Sequence, residues 1–199
     1  MNENQKFIKE CFFKLVEMGK IDDDDFEPST ITDEELDDLQ KKYNIIFPQF
    51  YRDFLKTYFY EFEELYGVVD DEIAGYTKQY VEILPNKNDG LKYLVADWDE
   101  DNKLGLQLMA NGYIHIGTWG GSWGPLCIDT HKSIENIDYD DYSTWSLVWF
   151  EFDEFFGGET LEDYIEAAQP AAPDLKELME WYFLGKYSDE CDDEEDDDE

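Results

Sequence analysis

GTWGGSWGPLCIDT, residues 117–130, joins four glycines and two tryptophans to a proline and then an apolar run. Gly120, Ser122 and Gly124 satisfy a GxSxG pattern, in which a serine nucleophile sits on a sharp turn between a strand and a helix. Such an elbow needs a helix directly after the serine, so that backbone amides face the developing oxyanion. Here Pro125 is followed by Leu126, Cys127 and Ile128, which is a β pattern. The two histidines of the chain, His115 and His131, lie just before and just after the serine. Asp129 and His131 follow Ser122 in a workable order but are too near it in sequence to be brought opposite its hydroxyl. The stretch therefore reads as a wide loop with two aromatic anchors, Trp119 and Trp123, leading into a buried strand.

Charge narrows the function classes further. The 199 residues include 51 acidic and 15 basic side chains, for a net charge of −36. Phosphate contacts need Lys and Arg, so nucleic acid and anionic membrane surfaces are excluded as partners. A basic protein partner fits, because an acidic surface would give fast, salt-dependent encounter. Charge of this size also opposes self-association and favours a monomer. Cys11, Cys127 and Cys191 are odd in number and widely spaced, which fits neither a disulfide framework nor a CxxC metal site. Lys6, Lys9, Glu10 and Lys14 interrupt what would be the apolar core of a signal peptide, and no later run approaches the ~20 residues of a membrane span. The expectation is a cytoplasmic protein with no cofactor.

Three regions follow from the patterning. In residues 1–30, Phe7, Ile8, Cys11, Phe12, Leu15 and Val16 share one face of a helix over 4–18, Gly19 stops it, and 21–29 reads as an acidic, solvated linker. In residues 31–187 a helix opens on the capping box Thr32/Glu35, with Ile31 and Leu36 at staple positions. A second helix starts around Pro48, with Tyr51, Phe54, Leu55 and Tyr58 at helical spacing. Short branched and aromatic runs at 80–84, 91–98, 104–109, 113–116, 126–128 and 145–152 read as strands, with Asn111 and Gly112 as a hairpin turn. Helices return at 160–168 and 174–184, with Leu161, Tyr164, Ile165, Leu175, Leu178, Met179 and Tyr182 inward. Residues 188–199 are almost entirely acidic and read as a disordered tail. The fold class is α+β: a mainly antiparallel twisted sheet with helices packed against it.

These parts, in this order, resemble the SMI1/KNR4 family of the SUKH superfamily. The resemblance rests on the capped helix Thr32 to Tyr43, then Phe47, Pro48, Tyr51, Phe54 and Leu55, and finally the Gly-rich stretch from Gly117 to Asp129. It spans roughly residues 31–168. Phe47 stands where the family usually has Leu, and the second helix reads on through Thr57, Tyr58, Phe59 and Tyr60 where the family often turns. The resemblance implies protein binding rather than catalysis. Many bacterial members look like immunity proteins that block a toxin domain, often a nuclease; eukaryotic relatives act as regulatory interaction proteins, which is the alternative here.

Site expectations follow. Asp97, Asp99 and Asp101 alternate like the first ligands of an EF-hand loop, but Asn102 replaces the required glycine and Leu108 the bidentate glutamate, so a solvated charged turn is favoured over a metal site. For partner contacts the acidic candidates are Asp97, Asp99, Glu100, Asp101, Asp138, Asp140 and Asp141, with Trp119 and Trp123 as aromatic anchors. His115 alternates with Ile114 and Ile116 and reads as pointing away from the core.

Overall fold

Asn2 opens the first helix, α1 (Glu3–Glu17), through a full capping box: its side chain accepts from the Gln5 amide, and Gln5 reaches back to the Asn2 N–H. At the other end Gly19, at φ +66°, donates to Val16 O at 2.9 Å, and Lys20 donates to Leu15 O at 2.9 Å. That pair of bonds is a Schellman motif, which the glycine makes possible. The apolar face holds Ile8, Cys11, Phe12 and Leu15, all buried.

These elements belong to a computed structural model that describes residues 1–60, 64–65, 72–73, 76–77, 81–84, 86, 91, 104–120, 124–130, 145–151 and 160–185. After α1 come β1 (Phe26–Pro28), α2 (Asp33–Tyr43), α3 (Gln49–Thr57) and β2 (Tyr58–Tyr60). Next are β3 (Glu64–Leu65), β4 (Glu72–Ile73), β5 (Tyr76–Thr77) and β6 (Val81–Ile83), followed by α4 (Leu104–Ala110), β7 (Tyr113–Trp119) and β8 (Gly124–Asp129). The described chain closes with β9 (Leu147–Trp149), α5 (Leu161–Glu166), β10 (Gln169–Ala172) and α6 (Leu175–Tyr182).

Among the described residues the main sheet has six strands in the order β10-β9-β8-β7-β6-β3, antiparallel at every pairing. Two ribbons, β1-β2 and β4-β5, stand beside it. One face carries the main core, where Ile114, Ile116, Trp119, Leu126 and Ile128 meet side chains of α1, α2, α3 and α6. A smaller cluster of Leu104, Leu108, Cys127, Val148, Phe150 and Tyr164 joins α4 and α5 to β8 and β9. The fold is α+β, helices on an antiparallel sheet, as the patterning predicts.

Helix α2 keeps its predicted start: Thr32 Oγ1 accepts from the Glu35 amide at 3.2 Å, and Glu35 takes the Thr32 N–H at 2.8 Å. Ile31 and Leu36, the staple pair, are both buried. Asn44 ends it in the left-handed conformation, φ 53°. Thr160 and Asp163 cap α5 reciprocally, and Asp174 caps α6 through the Glu177 amide at 2.8 Å.

Four local readings are corrected. Residues 26–28 are not linker but β1, paired with β2, and Phe26 packs edge-on to Phe12 at 5.2 Å. Helix α3 does not continue through Tyr60; it ends at Thr57, and Tyr58–Tyr60 extend as β2. Residues 104–109 are helix α4, not a strand, because Leu104, Gly105, Leu108 and Met109 bury one helical face. Asn111 and Gly112 therefore end a helix: their amides return to Leu108 O and Met109 O at 2.9 and 3.0 Å. Strands β3, β4, β5 and β10 match none of the predicted strand segments. The expected strand at 91–98 falls almost wholly, and the acidic tail wholly, outside the described residues.

Candidate partner-binding site

The Gly-rich stretch forms the β7–β8 hairpin. Trp119 ends β7 opposite Gly124, the first residue of β8, and Gly120 turns the chain at φ +68°. Beyond Gly124 the chain runs as strand through Asp129, with no helix following Ser122 in the register an elbow needs. Ser122 itself lies outside the described residues, as do Trp123 and His131.

Trp119 is not a surface anchor. It is only 2% exposed, opposes the fully buried Val81, and closes the main core of its own chain. Its neighbour Thr118 turns to the opposite face, where Oγ1 donates to Glu82 Oε2 at 2.8 Å across the β6–β7 pair. A register shift between His115 and Gly117 marks a bulge. There His115 Nε2 lies 2.8 Å from Gly117 O; a carbonyl only accepts, so Nε2 carries the proton. His115 is half-buried and, unlike Ile114 and Ile116, is not part of the main core.

The remaining partner-binding candidates, Asp97, Asp99, Glu100, Asp101, Asp138, Asp140 and Asp141, lie outside the described residues. Acidic residues that sequence reasoning did not single out are exposed on described elements: Asp22 to Asp25, Glu27, and Asp33, Glu34, Asp37 and Asp38 of α2. Asp33 and Asp37 are partly compensated. Arg52 spans both, at 2.9 and 2.8 Å, and Lys56 reaches Asp33 at 2.7 Å. Hydrogen bonds from Lys56 and then Arg52 hold the Asp33 carboxyl below its usual pKa. The negative run at the α2 N-terminus was visible in the sequence; its pairing with α3 was not.

Two buried carboxylates are structural. Asp53 of α3 accepts the Nδ2 groups of Asn2 and Asn4 on one oxygen, each at 3.0 Å, and so fixes the start of α1 against α3. Asp129 opposes Tyr113 at the end of β8 and is 1% exposed. Burial, and then this carboxylate, push the Tyr113 phenol and the Cys127 thiol up from their usual pKa values. An un-ionised thiol is a poor nucleophile. Among the described residues no group of three or more His, Cys, Asp and Glu side chains is placed to hold a metal ion. The EF-hand-like Asp97, Asp99 and Asp101 lie outside them. No helix among the described residues is long and apolar enough to cross a membrane.

Helices laid on an all-antiparallel sheet, entered by a capped helix and a proline-started one, define an α+β scaffold of the class the sequence motifs indicate. Residues 30–158, well over half of the chain, match the model of the SMI1 / KNR4 family (SUKH-1), and the chain belongs to that family. Comparison with curated proteins and with solved structures gives no match. The family is generally non-catalytic and includes immunity proteins. Helix α1 lies outside the matched span, although its side chains share the main core.

Proposed function

We propose that this protein is a non-enzymatic binding module that takes up a basic protein domain on its acidic surface, as an immunity protein neutralising a cognate toxin domain. The observation that carries this reading is an excess of 36 negative charges on a family fold that includes immunity proteins. Acid on this scale resembles the charge density of nucleic acid, which a basic nuclease domain would be built to grip. The contacts assigned to it are Asp97, Asp99, Glu100, Asp101, Asp138, Asp140 and Asp141, with Trp123 as the apolar anchor. Trp119 has no direct contact in this scheme; it supports the hairpin from the core. The protein acts as a cytoplasmic monomer without a cofactor.

Co-expression tests the reading. A toxic domain encoded beside this chain should lose its killing when the protein is present, and equal killing with and without it would end the proposal. Steered binding should also lose on-rate steeply as salt shortens the screening length to about 8 Å at 0.15 M.

A further inference from the structure

The outer surface of α1 carries acidic and basic side chains on adjoining lines. Glu3, Glu10 and Glu17 recur along one line of the helix, whereas Lys6, Lys9 and Phe13, at spacing i, i+3 and i+7, form another. Both lysines are exposed. Phe13 is 46% exposed even though one edge meets Phe26 at 5.9 Å and Lys9 Nζ stands 5.5 Å from its ring centre. Four of the 15 basic residues, Lys6, Lys9, Lys14 and Lys20, fall in the first 20 positions. A half-exposed ring beside ammonium groups suits a peptide that carries carboxylates and an aromatic or apolar side chain.

Such a peptide is tethered nearby. Helix α6 lies against α1: Lys176 Nζ is 5.2 Å from the Phe7 ring centre, and Phe183, just past the end of α6, packs on Phe12 at 5.8 Å. Residues 186–199, KYSDECDDEEDDDE, then carry ten carboxylates, one lysine and a tyrosine. Fourteen residues extend to at most ~45 Å, so reach is not limiting, and a short tether keeps the local concentration in the millimolar range. We propose that the Lys6–Lys9–Phe13 surface of α1 is the docking surface for this chain's own acidic segment 186–199. The net charge directs the segment there, because most of the remaining surface repels it.

Zero-length carbodiimide coupling of the full chain, read by peptide mass spectrometry, tests this. In the monomeric fraction, amide links from Lys6 and Lys9 to residues 189–199 should exceed those from the exposed Lys41 and Lys42 of α2 several-fold. In 1 M salt, where the screening length is about 3 Å, they should fall to the Lys41 and Lys42 level. Links spread evenly over all four lysines, found only between two copies, unchanged in 1 M salt, or absent would each overturn the proposal. None of these outcomes bears on the proposed toxin partner, which involves other residues.

Discussion

Gly117 of β7 lies so close to Glu82 of β6 that a Cβ at position 117 would overlap the Glu82 carbonyl oxygen and come within 3.2 Å of Ile83 Cα. The obstruction is backbone, which no side-chain rotation relieves. This close approach seats β6 beside the hairpin and explains one glycine of the stretch that decides the fold. Gly117→Ala is expected to destabilise by about 3 kcal/mol, the upper part of the range for overpacking. Gly19 is the contrast: a Cβ there meets nothing within 4 Å, but φ is +66°. Gly19→Ala should cost only about 1 kcal/mol, from left-handed strain alone. Urea midpoints of the two variants check the order.

Phe12 makes α1 part of the core. It is 1% exposed and meets the rings of Phe26, Tyr58, Tyr60 and Phe183 at 5.2, 4.9, 5.7 and 5.8 Å. Phe12→Ala should lose about 3–5 kcal/mol by thermal or urea unfolding. A fragment limited to residues 30–158 should show no cooperative transition in calorimetry.

Asp33 and Asp174 should respond to pH with opposite signs. Asp33 has its folded-state pKa lowered below 3.8 by Lys56 and Arg52. Its stabilisation is full above the unfolded value and is lost as pH falls through the folded one. Asp33→Asn should therefore be less stable than the parent at pH 7, by less than about 1 kcal/mol for so exposed a group, and equal to it near pH 2. Asp174 has its pKa raised above 3.8, chiefly by burial. Its ionisation penalises the fold, and the penalty grows as pH rises from the unfolded value through the raised one. Asp174→Asn keeps a good N-cap and should be more stable than the parent at pH 7 but not near pH 2. Denaturant midpoints at both pH values decide each case.

Trp119 and Trp123 should separate folding from binding. Trp119→Ala empties a core position and should cost about 3–5 kcal/mol in unfolding experiments. Trp123→Ala, under the proposed function, should leave the melting temperature nearly unchanged while weakening the toxin-domain complex by at least tenfold in titration calorimetry.

Cys11 and Cys127 should resist alkylation in the native state. Both are buried, and burial raises each thiol pKa well above its usual value. Iodoacetamide labelling at pH 8 should modify neither until denaturant is added.

Local chemistry was legible in the sequence, and the tertiary structure decided what local chemistry leaves open. Thr32 with Glu35, and Gly19 after an apolar helical face, satisfy backbone groups within a few residues, so their signals need no distant partner. The apolar faces of α1, α5 and α6 were readable for the same reason. Residues 104–109 fit both periods, since Leu104, Leu106 and Leu108 alternate while Leu104, Gly105, Leu108 and Met109 share a helical face; packing chose the helix. Strands β1, β2 and β10 are three or four residues long and exist because a partner strand supplies their hydrogen bonds, which no local pattern encodes. Of the candidate site, the sequence supplied the acidic excess and the two tryptophans. Only the fold placed Trp119 inside, because strand register, fixed by the pairing of Val81 and Gly124 with that residue, determines which face of the sheet a side chain occupies.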